Sequence, residues 1–377
     1  MKGRTRAREK IHERMATRLR EPREIAALSE GFPDPDARLL EQRSDPSFWT
    51  LLRKLSLRLF VTREYEHLIL SLAASAGRPD VTHAALPHPS GLAADRTSGG
   101  IHVASTRNPN LLMEFRPVVA GPSAGFLVPT RARFLPGRLY LHDLAWIGGR
   151  LCGNAVGENA VVRLRYDAPP ERIWWPKAIE RRGRPDHGRN TLQLNSIAAG
   201  RGLSDSFFSA SCDRPGGPLP GDAAFEVDGR GVIFSGRTRE PSARGLTRPH
   251  SARLLEGRLW VDNSGYGELG FVEDGRFIAK STLPGWTRGL ALVGRTAFVG
   301  TSLVLRRFAS YAPGLDLDRC VCGVHAIDLE TGRRIGSVLW PWGNQIFAIE
   351  AVPQDSSRGF PPSGDAARDL YYSFGVR

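Results

Sequence analysis

The chain has 377 residues, 41 of them Gly and 27 Pro, with 41% hydrophobic and 24% charged residues and a net charge of +13. Turn formers exceed the usual roughly 7% Gly and 5% Pro but stay below the about 25–30% of low-complexity sequence, which excludes collagen, coiled coil and wholesale disorder. No run of about 18 apolar residues occurs, so no membrane-spanning helix is expected.

The first 24 residues carry nine basic and four acidic side chains and no aromatic one. They contain no apolar stretch and no small-residue cleavage site, so they read as a basic arm and not as a secretory signal. An arm without stacking aromatics does not favour nucleic acid. Residues 36–50 are expected to form one short helix leading into Trp49. The expected division is a basic arm over 1–48, disordered or with a short helix, a ring over 49–355 and a tail over 356–377. Cys152, Cys212, Cys320 and Cys322 include one close pair, Cys-Val-Cys, without the spacing of a zinc site. They are expected to be reduced thiols in a cytoplasmic protein.

From residue 55 the pattern is short apolar runs broken by Gly, Pro, Asp and Asn. LSLRLFV (55–61), HLILSLA (67–73), LYLHDLAWI (139–147), NAVVRLR (159–165), RLWVDNS (258–264) and TAFVGTS (296–302) read as strands. EDGR (273–276) and ETGR (330–333) have hairpin turn chemistry. Similar strand pairs open at Ser90, His142, Asn195, His250, Arg288 and Gln345, at spacings of 52, 53, 55, 38 and 57 residues. A β-repeat of about 40–50 residues denotes propeller blades. The fold expected is therefore all-β, a six-bladed β-propeller, with seven blades or a pair of sandwiches as alternatives. The strands at 55–61 and 67–73 precede the first unit, so they should complete the last blade and close the ring. Ala93, Ala94, Ala145, Ala198, Ala199, Ala252, Gly289, Ala291 and Ala348 fall in the first strand of each unit, where small side chains suit a crowded axis.

The residue opening each first strand should point to the channel mouth, and it is polar in all six units. His142, Asn195 and His250 are the candidate metal ligands, a donor set suited to a divalent ion of the Zn, Mn, Fe or Ni kind. Asp143 would orient His142 or act as base. Arg248 and Arg288 would hold an anion, since Arg pairs bidentately with carboxylate or phosphate. Arg237 and Arg239, from the Arg-rich stretch 234–254, together with Asn263, Asn344 and Gln345, are the candidate substrate-binding residues. The alternative is that the opening residues cap strands and bond loop backbones. His102 and His325 are placed in second strands. If both faced the axis with His142 and His250, a four-histidine iron site would result. His12, His67, His83 and His187 are expected at the surface. The tryptophans are expected between blades, with Trp174–Trp175 and Trp340/Trp342 as rim candidates. GYGELG (265–270) and GPSAG (121–125) lack the following helix that a dinucleotide site or nucleophile elbow requires, so no nucleotide cofactor is expected.

The blocks GLAADRTSGGIHVASTRNPNLLMEFRP, LYLHDLAWIGGRLCGNAVGENAVVRL, WWPKAIE, NTLQLNSIAAG, GVIFSGRTREPSARGLTRPHSARL, LWVDNSGYGELG and LPGWTRGLA resemble an uncharacterised bacterial family of conserved hypothetical proteins with a domain of unknown function. The resemblance covers roughly residues 50–355. More loosely, the repeat is similar to the six-bladed propellers of gluconolactonase-type lactonases, virginiamycin B lyase and peptidyl-amidoglycolate lyase. That likeness implies a divalent metal on the axis, with His142, Asn195 and His250 corresponding in style. HDLA resembles the HDFA iron-ligand segment of carotenoid oxygenases, but the other histidine contexts do not match. The expected function is a metal-assisted hydrolase or lyase acting on a small anionic metabolite. The alternative is a non-catalytic propeller that binds an acidic peptide, glycan or protein partner.

Overall fold

The computed structural model describes Ala7 and residues 35–362, apart from 76, 107–109, 119–124 and 223. Most of the expected arm, residues 363–377 of the expected tail and most of GPSAG lie outside the described residues. Six antiparallel sheets form the six blades of a propeller. From the axis outwards, blade I consists of Ala348–Pro353, Leu57–Arg63, Leu68–Ser75 and Arg78–Ala85. Blade II starts with Pro89–Asp95, blade III with Leu141–Ile147, blade IV with Leu194–Ala198, blade V with Pro249–Leu255 and blade VI with Trp286–Val293. Each of these inner strands packs against the inner strands of the two neighbouring blades. Blade I contains both ends of the ring: Thr62 pairs with Ala348 and Leu57 with Pro353, so the closure expected from the sequence is present.

The helix lies later than expected. It runs Pro46–Lys54, preceded by a short 3-10 turn at Ala37–Leu39 and by the strand Arg43–Ser44. The cause is local. The residue before a proline is held out of the α region, and a proline suits the first helical position. Asp45 is accordingly extended, and the helix begins at Pro46. Arg43 and Ser44 pair with Leu339 and Val338 as a fifth strand on blade VI, and Phe48, Trp49 and Leu52 pack into the core shared by blades I and VI.

Laces between blades explain why the strand openings are polar. Inner strands carry bulges near their starts, as between Pro89 and Leu92 and between His250 and Arg253. A bulge frees backbone groups that need partners, and side chains of adjacent blades supply them. Thr62 Oγ1 donates to Ser90 O (2.7 Å), Ser90 Oγ to Leu141 O (2.6 Å) and Asn154 Nδ2 to Leu194 O (2.6 Å). Asn195 Nδ2 donates to Pro249 O (3.2 Å), Ser264 Oγ to Thr287 O (2.6 Å) and Ser302 Oγ to Ile346 O (3.2 Å). Each blade thereby holds the next, all the way round the ring.

Candidate functional site at the upper channel mouth

Call upper the face on which the inner strands begin. There a cavity of about 320 Å³ is lined from all around the ring. It collects His142, His250, Arg248, Arg288, Asn344 and Gln345, six of the residues proposed from sequence. Its walls also carry Tyr65, Tyr140, Trp286, Phe308, Tyr311 and Phe347, with Glu64 as the one carboxylate among the lining residues.

Arg288 lies over the Phe347 ring, 3.3 Å from its centroid, and its Nη2 donates toward His142 Nδ1 at 3.4 Å. That contact makes Nδ1 the acceptor of a neutral His142 and puts its proton on Nε2. Gln345, with its amide set as its neighbours require, donates to Glu64 Oε2 (2.9 Å) and accepts from Arg288 Nη1 (3.2 Å). His250 has the opposite tautomer. Its Nδ1 donates to Arg248 O at 2.8 Å, which leaves Nε2 as the acceptor. Burial, then the Arg288 guanidinium and the His142 imidazole, hold His250 well below the ordinary histidine range.

Arg248 is only 1% exposed. It donates to Gln193 Oε1, to Ser211 Oγ (3.2 Å) and to Pro220 O, and lies 3.8 Å over the Tyr311 ring. Its Nε has no partner among the described residues, and none of the ion pairs among them reaches it. Burial without a carboxylate pushes its pKa down to about 10.

Five other candidates lie elsewhere. Asp143 does not serve His142: successive strand residues face opposite ways, and its carboxylate turns to blades IV and V. It accepts from Ile197 N (2.9 Å) and from Arg253 Nη1 (2.7 Å). Arg237 pairs with Asp205 at 3.2 Å, and Arg239 pairs with Glu180 and covers Trp175. Both sit in the turn between the outer strands Gly231–Ser235 and Pro241–Leu246, far out on blade IV. Asn263 accepts from Thr247 N (2.6 Å) and donates to Glu268 Oε2 (2.8 Å), so it holds loops together. Asn195 is a blade lace, although its Oδ1 is buried without a hydrogen-bond partner among the described residues.

As arranged, the set does not fit a divalent ion. A metal needs a nitrogen lone pair, and that of His142 faces a guanidinium. Two arginines line the same cavity, and the described residues hold no group of three or more His, Cys, Asp or Glu placed as ligands. The four-histidine arrangement is absent as well. His102 Nδ1 meets Tyr166 Oη at 2.9 Å. His325 lies in a third strand, Gly323–Asp328, fully buried between Thr301 Oγ1 (2.9 Å) and Ser337 Oγ (2.8 Å). His67 is also buried, where a surface position was expected; it ends the turn Glu64–Glu66 in a left-handed conformation.

Sequence reasoning missed the loops between second and third strands, among them those of blades I, III and VI, which line the cavity. Glu64–Glu66, Val156–Glu158 and Ser264–Tyr266 are equivalent 3-10 turns, each closed by a left-handed residue: His67, Asn159 and Gly267. Their signal was present as REYEH, AVGEN and NSGYG at matching places in three blades. In blade VI the loop lengthens to a strap, 303–322, that brings Leu305, Phe308 and Tyr311 over the mouth.

The chain belongs to the family described as a domain of unknown function, DUF4915, whose model matches residues 46–358. No curated protein matches it in sequence. Among solved structures it is similar to the nidogen/laminin complex, at 9% identity and a TM-score of 0.53, covering 79% of this chain and 99% of that one. It is also similar to a gluconolactonase of Xanthomonas campestris (13% identity, TM-score 0.44, covering 68% and 77%) and to virginiamycin B lyase of Staphylococcus aureus (12%, 0.38, 75% and 76%). The likeness to the nidogen/laminin complex bears on the fold alone. Among the described residues no helix is long and apolar enough to cross a membrane.

Proposed function

We propose that the upper mouth binds a small organic anion, a carboxylate or phosphate attached to a flat or apolar body. The observation that carries this reading is Arg248. A buried charge without a counter-ion is costly, and here it borders a cavity together with a second guanidinium. A ligand anion would supply the missing charge, and the aromatic walls would take its apolar part. A volume of about 320 Å³ suits a metabolite better than an acidic peptide or glycan.

The test is calorimetry with benzoate, phenyl phosphate and the neutral benzamide. The two anions should bind and benzamide should not, and Arg248→Met should weaken the anions about 100-fold, as expected when a buried charge pair loses one member. Equal binding of benzamide, or an unchanged affinity in Arg248→Met, would contradict the reading.

The hydrolase or lyase reading has one observation in its favour. His142 Nε2–H and His250 Nε2 form a proton donor and a proton acceptor in one cavity, as acid–base catalysis requires. No metal enters that scheme. If it holds, His250→Gln will abolish turnover of an ester or lactone of such an anion while leaving anion binding within a few-fold. Intact turnover in that variant would sink it.

A further inference from the structure

The opposite end of the channel holds a second cavity, of about 530 Å³, where the inner strands end. All six blades line it, and Ala94, Ala145, Ala291 and Ala351 are among the lining residues. We infer that this lower mouth is a binding site for a small organic cation, with Glu350 as the residue that receives the ammonium group.

The charges are distributed for that task. Arg253 is already neutralised. Its guanidinium reaches Asp143 Oδ2 at 2.7 Å and Oδ1 at 3.1 Å, and also donates to Ile197 O (3.1 Å) and Ala252 O (2.9 Å). Arg96 is exposed at the rim, where solvent screens it. Beside it, burial of Asp95 is outweighed by hydrogen bonds from Ser98 and Thr97, which hold that carboxylate below its usual range. Glu350 is the remaining charge. It is half-buried, lines the cavity and has no hydrogen bond among those of the described residues. Trp146 lines the same space and provides an aromatic surface of the kind that attracts cations.

The state of Glu350 agrees with this. Burial and the neighbouring Asp143 push it up to about 7, against the opposing pull of Arg253 and Arg96. A carboxyl in that condition gains from a partner cation, which stabilises its charged form. A ligand ammonium would therefore displace the proton and form the ion pair that Glu350 does not have among the described residues.

Titration of the full chain with n-butylammonium chloride, with n-butanol and sodium butyrate as controls, tests the site. The ammonium should bind saturably and neither control should displace it. Affinity should rise about ten-fold between pH 6 and pH 8, following the ionised fraction of a group with a pKa near 7. Glu350→Gln should weaken binding about ten-fold or more, the loss expected for a charge-assisted hydrogen bond. Butanol competing as well as the ammonium, a pH-independent affinity, or undiminished binding in Glu350→Gln overturns the assignment. Should that variant fail to fold, the pH dependence of the wild type decides.

Discussion

Both ends of the channel carry an inward arginine, yet the two are handled differently. At the lower mouth Arg253 meets the carboxylate of Asp143, which reaches it from blade III through two short contacts. At the upper mouth Arg248 is more deeply buried and, among the described residues, hydrogen-bonds only to neutral partners: an amide, a hydroxyl and a carbonyl. A satisfied ion pair is a structural device, while a desolvated charge with none of its own is a place prepared for a ligand. The same residue type, just before the inner strand of blade V and within it, thus has opposite meanings, decided by whether a neighbouring blade contributes an acid.

The comparison can be broken most strongly at the lower end. Asp143→Ala strands the Arg253 guanidinium, and chemical denaturation should register a loss of about 3–5 kcal/mol. The double change Asp143→Ala/Arg253→Met should recover part of it; no recovery would mean that Asp143 acts mainly by accepting from the backbone N–H groups of Ile197 (2.9 Å) and Leu144 (3.1 Å). At the upper end Arg248→Met should remove about 2.7 kcal/mol of anion affinity, equivalent to the 100-fold above.

Smaller is the effect of pH through Glu350. Its carboxyl has an ordinary value of 4.5 and sits at about 7 in the fold. A raised carboxyl contributes stability that is complete below the ordinary value and is lost as pH rises through the folded one. Melting curves should therefore show Glu350→Gln gaining on the wild type between pH 5 and pH 8, by on the order of 1–2 kcal/mol. A constant difference would show that Glu350 is ionised throughout. The mildest change is Ser302→Ala, which cuts the lace to Ile346 O and its reciprocal bond from Ile346 N. It should cost about 1 kcal/mol in urea unfolding and leave both mouths able to bind.

The ring and its closure were readable in the sequence because blade spacing, turn chemistry and small inner residues repeat. So was the gathering of His142, His250, Arg288 and Gln345, since each opens or nearly opens an inner strand. Asp143 was misread because neighbouring strand residues face opposite sides, and a period of two decides which of them reaches the mouth. Arg237 and Arg239 are close to Arg248 in sequence but occupy an outer hairpin turn, so local arginine density did not translate into a common site. Asn195 shows the limit of the polar series: the same position can face a ligand or lace two blades, and only the bulge geometry separates the two. The roof residues Tyr65 and Tyr311 come from loops distant in sequence, which the ring brings together.

The central claim is that the Arg248 guanidinium awaits an anion. Its buried Nε–H can be followed by ¹⁵N NMR and assigned by its loss in Arg248→Met. Addition of benzoate at constant ionic strength should shift that resonance in a saturable way, and benzamide should leave it in place. A signal that benzoate does not move, or that both compounds move alike, would contradict the account.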